Sequence, residues 1–254
     1  MMYKKILCII AAVTILISLS PVQIQAISKP ANCVKTSLSP YWTCQINFVA
    51  GWNLISLPLV PVANTTFPNT VDGIFGSNAQ HGLLSNVTSV STYAIVAGKG
   101  TWQACAVTKT GSGASTKYTC TGTLKNMVDG QGYWVYVKVA FTSNTASNAN
   151  PTYGGLVGSV IPPAASPPAY SLIAGWNLVG YKPQPDPTVT KTLGQYLSSL
   201  NTTGSATNYD QTNVWIYDNV AATWIRSDPA LPTIQVPPGV AMWIFMNTAD
   251  TLYP

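Results

Sequence analysis

The feature that most constrains this chain is an internal repeat. Phe48-Val49-Ala50-Gly51-Trp52-Asn53-Leu54-Ile55 recurs 124 positions later as Leu172-Ile173-Ala174-Gly175-Trp176-Asn177-Leu178-Val179. Both copies run on into proline, through Ser56-Leu57-Pro58 and Gly180-Tyr181-Lys182-Pro183. Tyr93 to Trp102 (YAIVAGKGTW) aligns with Trp215 to Trp224 (WIYDNVAATW) at an offset of 122, and Gly130 to Val137 with Gly239 to Met246 at 109. Three blocks in one order at nearly constant offsets define two copies of one unit, and such a period sets the architecture before local propensity is considered. The offset drops at the last block because Trp102 to Trp134 is 32 positions and Trp224 to Trp243 only 19. The extra length, with GSGASTK and Cys120, reads as a hairpin insertion in the first copy.

Each copy predicts short strands with little helix. The Gly-Trp-Asn block is rich in Trp, Ile, Leu and Val and stops at proline, as a strand does. Strands are expected at 87–96 with 101–107 and at 213–218 with 223–226, and closing strands at 133–141 and 241–247. In the second copy Val189, Leu193, Tyr196, Leu197 and Leu200 keep helical spacing, with a start at Pro187 and Thr188. In the first, Val71, Ile74 and Phe75 support a helix of one or two turns. The fold class is therefore mainly β with short helices (a β-rich α+β chain), built as two homologous modules in tandem.

Lys4 and Lys5 precede an uncharged apolar run from Ile6 to Leu19, and Ala26 offers a small residue for cleavage, the pattern of a secretory signal. The run is short of the roughly 20 apolar residues a span requires, so no membrane span is expected after cleavage. The chain divides into the signal (1–26), a disulfide-bearing segment (27–45), a first module (46–141), a Pro/Gly/Ser-rich linker (142–169) and a second module (170–254). Within the linker, Leu156 to Ile161 can add a strand. Four cysteines remain outside the signal, and an even number in an exported chain reads as disulfides. Local pairing, Cys33–Cys44 and Cys105–Cys120, is expected because each pair closes a short Thr/Ser-rich excursion.

The blocks GWNLISLP and GWNLVGYKP, the Tyr/Trp hairpin and the closing strand with Gly before Trp-Val or Trp-Ile resemble the tandem Gly-Trp-Asn-Leu (GWNLIS-type) repeat modules of secreted bacterial and archaeal cell-surface proteins. The resemblance covers roughly 46–140 and 170–248. It implies a structural role for the repeated Gly and Trp and transfers no catalytic residue.

The charge inventory excludes several functions. Of 254 residues only 7% are charged, where about 25% is ordinary. All seven acids are Asp, the one Arg is Arg226 and the one His is His81. Without the signal the net charge is +3 and the lysines are dispersed, so a nucleic-acid partner is not expected. His81 lies in a polar loop, with no G-x-S-x-G elbow anywhere in the chain. The Asp residues, most of them beside Gly, Pro, Asn or Thr, suit turns better than a carboxylate pair. No catalytic residue, metal site or cofactor is assigned, and the chain is read as a non-enzyme. Six of the eight Trp fall in the repeated blocks (Trp52/Trp176, Trp102/Trp224, Trp134/Trp243) and are read as core. Trp42, Trp215 (whose counterpart in the alignment is Tyr93) and Tyr118 lie outside that set and are the candidate exposed platform for a sugar. Asn64, Asn86 and Asn201 fit the N-glycosylation pattern. The expectation is a secreted cell-surface or extracellular-matrix protein of structural or adhesive role. Its partner would be a wall or surface polysaccharide or a second copy of itself, with carbohydrate binding through exposed aromatics as the alternative and an extracellular hydrolase ranked after it.

Overall fold

The computed structural model describes residues 31–35, 41–62, 68–76, 83–143, 156–159, 169–182, 186–201, 208–227 and 233–253. The signal segment, Asn64, His81 and Asp228 lie outside the described residues. The first half contains β1 (Ala31–Lys35), β2 (Trp42–Phe48), β3 (Gly51–Ser56), β4 (Val60–Pro61), α1 (Val71–Phe75), β5 (Val87–Val96), β6 (Lys99–Thr110), β7 (Lys117–Gly122), β8 (Gly132–Val137), β9 (Phe141–Thr142) and β10 (Leu156–Ser159). The second contains β11 (Tyr170–Leu172), β12 (Gly175–Gly180), β13 (Lys191–Thr192), α2 (Leu193–Tyr196), β14 (Tyr209–Asp218), β15 (Thr223–Arg226), β16 (Gln235–Val236), β17 (Ala241–Met246) and β18 (Asp250–Leu252). The chain is mainly β, and every pairing between these strands is antiparallel.

The main sheets have the orders β3-β8-β5-β6-β7 and β12-β17-β14-β15, the same path with one extra strand in the first. Their registers match: Leu54 pairs with Trp134 as Leu178 pairs with Trp243, and Trp52 with Tyr136 as Trp176 with Phe245. The strand before each Gly-Trp-Asn block also pairs with the strand after the closing one, β2 with β9 and β11 with β18.

The Gly-Trp-Asn sequence makes a tight, self-satisfied corner. Gly51 and Gly175 sit at φ +98° and +94° in open space, so backbone conformation rather than crowding selects glycine. Asn53 is buried; its Oδ1 accepts from Val49 N (2.9 Å) and its Nδ2 donates to the Val49 and Gly51 carbonyls. Asn177 repeats all three bonds on Ile173 and Gly175. A buried amide that meets the orphan backbone groups of its own turn explains the spacing.

The expected disulfides are present. Cys33 and Cys44 face each other across β1 and β2, and Cys105–Cys120 staples β6 to β7, the hairpin that is the first half's extra strand. Strands 87–96 and 223–226 form over the expected residues. β2 crosses the 45/46 boundary and carries Cys44, Ile46 and Phe48 into the first core, so the disulfide-bearing segment packs with the first module. From the linker, β10 adds to the same sheet as β2 and β4. α2 starts later than periodicity predicts: Thr192 and Gln195 close a capping box there, and Val189 stays outside the helix.

Two expectations are corrected. By register, Ser91 stands opposite Trp134 and Trp215 opposite Trp243, so the counterpart of Trp215 is Ser91 and that of Tyr93 is Tyr217. Tyr93 and Tyr217 keep the offset of 124; the hairpin that follows is two residues shorter in the second half, which misled the alignment. The six repeated Trp do not belong to the two main core clusters. Strand alternation turns Ile55, Val90, Tyr133, Val135 and Val137 into the first core and Val179, Val214, Ile216, Met242, Ile244 and Met246 into the second. The tryptophans occupy the opposite faces, and these faces meet.

Candidate functional site

The two main sheets present their aromatic faces to each other around Leu54, Leu178 and Ala241, which are buried between the halves with Tyr93, Trp134, Tyr217 and Trp243 packed on them. The contacts are reciprocal, as about a local two-fold axis. Trp134 packs on Tyr217 and Trp224 of the other half, with ring centres at 5.1 and 5.7 Å. Trp243 packs in turn on Tyr93 and Trp102, at 5.4 and 6.0 Å. The backbone repeats the symmetry: Ser56 N donates to the Gly239 carbonyl (2.8 Å) and Gly180 N to the Gly130 carbonyl (3.0 Å).

Near the axis the two halves differ in size, and they do so in complementary fashion. A Cβ on Gly180 would meet the Gln131 oxygen at 2.5 Å and Ser56 Cβ at 2.6 Å, while one on Gly132 would meet Leu178 and Ala241. Register makes Ser56 equivalent to Gly180 and Gly132 to Ala241. Each side chain on one half therefore fills the space left by glycine on the other, and two identical halves would collide or leave a gap. The Ser56 hydroxyl donates between the Tyr181 and Val240 carbonyls (3.0 and 2.8 Å). Asn219 Oδ1 accepts from Leu54 N (2.8 Å), and Gln131 Nε2 donates to the Leu178 carbonyl (2.8 Å) from the other side.

A buried ion pair also joins the halves. Lys182 has a fully buried side chain with Nζ 3.9 Å from Asp129 Oδ2, and the Tyr170 hydroxyl donates to the same oxygen at 2.6 Å. Burial pushes the Lys182 ammonium down to about 8, with Asp129 opposing the shift. Burial and the Asp129 charge hold the Tyr170 hydroxyl far above the usual tyrosine range. Asp186, Asp210 and Asp218 do serve turns, accepting from the backbone N–H groups of Thr188, Thr212 and Val220; Asp129 instead carries the buried charge.

Either side of the contact, the aromatic faces diverge into two grooves. One, of about 450 Å³, is lined by Trp52, Ser91, Trp102, Trp134, Tyr217 and Trp224. The other, of about 540 Å³, is lined by Tyr93, Trp176, Trp215, Trp224 and Trp243. Trp52, Trp102, Trp176 and Trp224 remain 46%, 55%, 40% and 41% exposed. They are nevertheless held in edge-on ring contacts, Trp52 against Tyr136 at 5.1 Å and Trp176 against Phe245 at 5.3 Å. Rings fixed on sheet strands and left half open form a preorganised apolar surface.

Of the three residues singled out as a platform, only Trp215 lines a groove, and the guanidinium carbon of Arg226 stands over its ring at 5.4 Å. Trp42 and Tyr118 are half-buried against the first core, so the three do not converge. Asn86 ends a 3-10 turn and is half-buried, with its carbonyl bonded to Lys138 N; Asn201 ends another such turn. Among the described residues no helix is long and apolar enough to cross a membrane. The chain matches no family model, no curated protein and no solved structure.

The groove tryptophans carried a signal in the sequence. In Trp52-Asn53-Leu54-Ile55 and Trp215-Ile216-Tyr217 both parities of the strand are apolar. A sheet with one wet face alternates apolar with polar, so a second apolar face must be covered or used.

Proposed function

We propose that this chain is a secreted, non-catalytic surface protein that binds polysaccharide through its two aromatic grooves. The observation that carries this reading is the set of four half-exposed tryptophans fixed on opposed sheets. A large aromatic buries about 150–250 Å² when covered, so each ring left half open forgoes on the order of 2 kcal/mol of burial. Contiguous apolar exposure of this kind marks a binding surface. Sugar rings fit it because their C–H faces are apolar and stack on indoles. The pattern of chemistry agrees, since the groove linings contain no charged residue. The disulfides and the signal-like start are compatible with an extracellular setting.

The test is affinity electrophoresis of the full chain through gels carrying a panel of neutral and acidic polysaccharides. Retardation by at least one, reduced about tenfold by Trp52→Ala or Trp176→Ala and unchanged by Trp42→Ala or Tyr118→Ala, is the expected result. Migration indifferent to every polysaccharide would refute the reading.

A second reading, self-association, has one specific observation behind it. β15 is the outer strand of its sheet and lacks the covering strand that β7 provides in the first half. On β7 itself the Cys120 N–H is already taken by the Asp72 carboxylate at 2.7 Å. An open edge accepts another strand, and concentration-dependent scattering abolished by Trp224→Pro would support it over glycan binding.

A further inference from the structure

The two grooves are built alike except at one cross-strand pair. On the first sheet Ser91 pairs with Ala104; at the same place on the second, Trp215 pairs with Arg226. Trp215 is a tryptophan without a tryptophan counterpart, and Arg226 is the only arginine of the chain. Both departures from the repeat thus fall on neighbouring side chains, Trp215 in the groove wall and Arg226 beside it over its ring. Arg226 Nε donates to the Thr212 carbonyl and its guanidinium lies over the Trp215 ring, so backbone and indole hold it in one orientation. Its terminal amino groups donate to no described residue, and it forms no ion pair among the described residues. The nearest acid in influence, Asp210, is committed to Thr212 N, Thr212 Oγ1 and Asn213 Nδ2. What remains is an exposed, planar, oriented cation beside an aromatic wall. That fork matches a carboxylate in two parallel hydrogen bonds.

We propose that the groove lined by Trp215, with Arg226 beside that ring, selects a uronate-bearing polysaccharide, the indole stacking on the sugar and the guanidinium pairing with its carboxylate, whereas the groove lined by Ser91 takes the sugar face without reading charge. This rests on the reading of the grooves as glycan sites and adds the class of glycan. A shared architecture supplies stacking twice. The added pair supplies a charge-assisted contact once.

The experiment compares the full chain on polygalacturonate and on the same polymer with its carboxyls methyl-esterified, which keeps the backbone and removes the charge. Wild type should prefer the acid about tenfold, one charge-assisted contact's worth, and the preference should shrink between 50 and 500 mM salt. Arg226→Gln should bring the two polymers within about twofold, and Arg226→Lys should keep part of the preference, since a point charge survives without the fork. Equal wild-type binding to acid and ester, or an Arg226→Gln variant that keeps the full preference, overturns the proposal and leaves the glycan reading standing. Binding to neither form while a neutral xylan is bound does the same. Binding to no polysaccharide at all overturns both. Thermal melts of each variant exclude a folding defect as the cause.

Discussion

One groove is lined by Ser91, paired across strands with Ala104; at the matching place in the other stands Trp215, paired with Arg226. Around these positions the two regions agree closely. Trp52 stands to Trp134 at 6.1 Å and Trp176 to Trp243 at 6.3 Å, with the ring planes at 89° in both. Tyr93 meets Trp102 at 5.5 Å as Tyr217 meets Trp224 at 5.2 Å. The agreement teaches that the aromatic geometry is imposed by strand order and register, which both sheets share. The difference teaches that chemistry can be changed at one cross-strand pair without disturbing that frame, because side chains on the sheet's outer face are held by neighbours rather than by a closed core.

The largest expected effect is the loss of the comparison itself. Gly180→Leu places atoms where Gln131 and Ser56 already stand, and forcing the halves apart should cost about 3 kcal/mol or more. Chemical denaturation should register this as a large drop in midpoint, with both grooves losing ligand together; an unchanged midpoint would mean that the halves do not meet as described. Next, Trp134→Ala and Trp243→Ala each remove the ring that reaches into the other half. Each should lose roughly 2–4 kcal/mol, and the two values should agree within about 1 kcal/mol. A wide gap between them would deny the local two-fold.

A smaller effect concerns the ion pair that crosses the contact. Lys182 releases its proton near 8 in the folded chain, against the ordinary lysine value of 10.5. Between those values the unfolded state binds more protons, so stability from this group rises with pH. From pH 8 to 9.5 wild type should gain roughly 1–2 kcal/mol relative to Lys182→Met, read from urea midpoints. Above pH 10 the trend reverses, because Tyr133, Tyr170, Tyr181 and Tyr196 are held protonated by burial and their ionisation favours the unfolded chain. Parallel pH profiles of the two proteins would remove Lys182 as the cause. The smallest expected effect lies in the hairpins that carry Tyr93 with Trp102 and Tyr217 with Trp224. Ala97 and Ala222 adopt φ of 50° and 51°, a region that asparagine tolerates better. Ala97→Asn and Ala222→Asn should each stabilise the fold by about 0.5–1 kcal/mol, read as a higher melting midpoint; a fall in either would show that its hairpin is not limited by backbone strain.

Much of the frame was legible in the residues. The duplicated Gly-Trp-Asn blocks placed β3 and β12, the extra residues around Cys120 placed the β6–β7 hairpin, and both disulfides followed from local spacing. The site was less legible. Repetition of the six tryptophans reads equally well as core and as a duplicated surface, since both preserve a residue in each copy. The alignment of Tyr93 with Trp215 matched aromatic to aromatic, whereas backbone pairing answers to hairpin length and sets Ser91 there instead. Asp129 and Lys182 are 53 positions apart and lie in different halves of the chain. Lys182 falls within GWNLVGYKP but stands where the first block has Pro58, so nothing local could pair it with Asp129.

By itself the sequence determined the local conformations: a positive φ at Gly51 that few other residues accept, an asparagine that satisfies its own corner, strands that alternate, and cysteines close enough to join. These depend on a few neighbouring residues and on sterics. Only the tertiary structure decided which of two apolar faces became core. It turned Ile55 and Val135 inward, set Trp134 against the far hairpin, and left Trp52, Trp102, Trp176 and Trp224 half open. That choice depends on how two sheets with the same path fit together, glycine against side chain at the axis, and such a fit is a property of the pair of surfaces that neither strand carries alone.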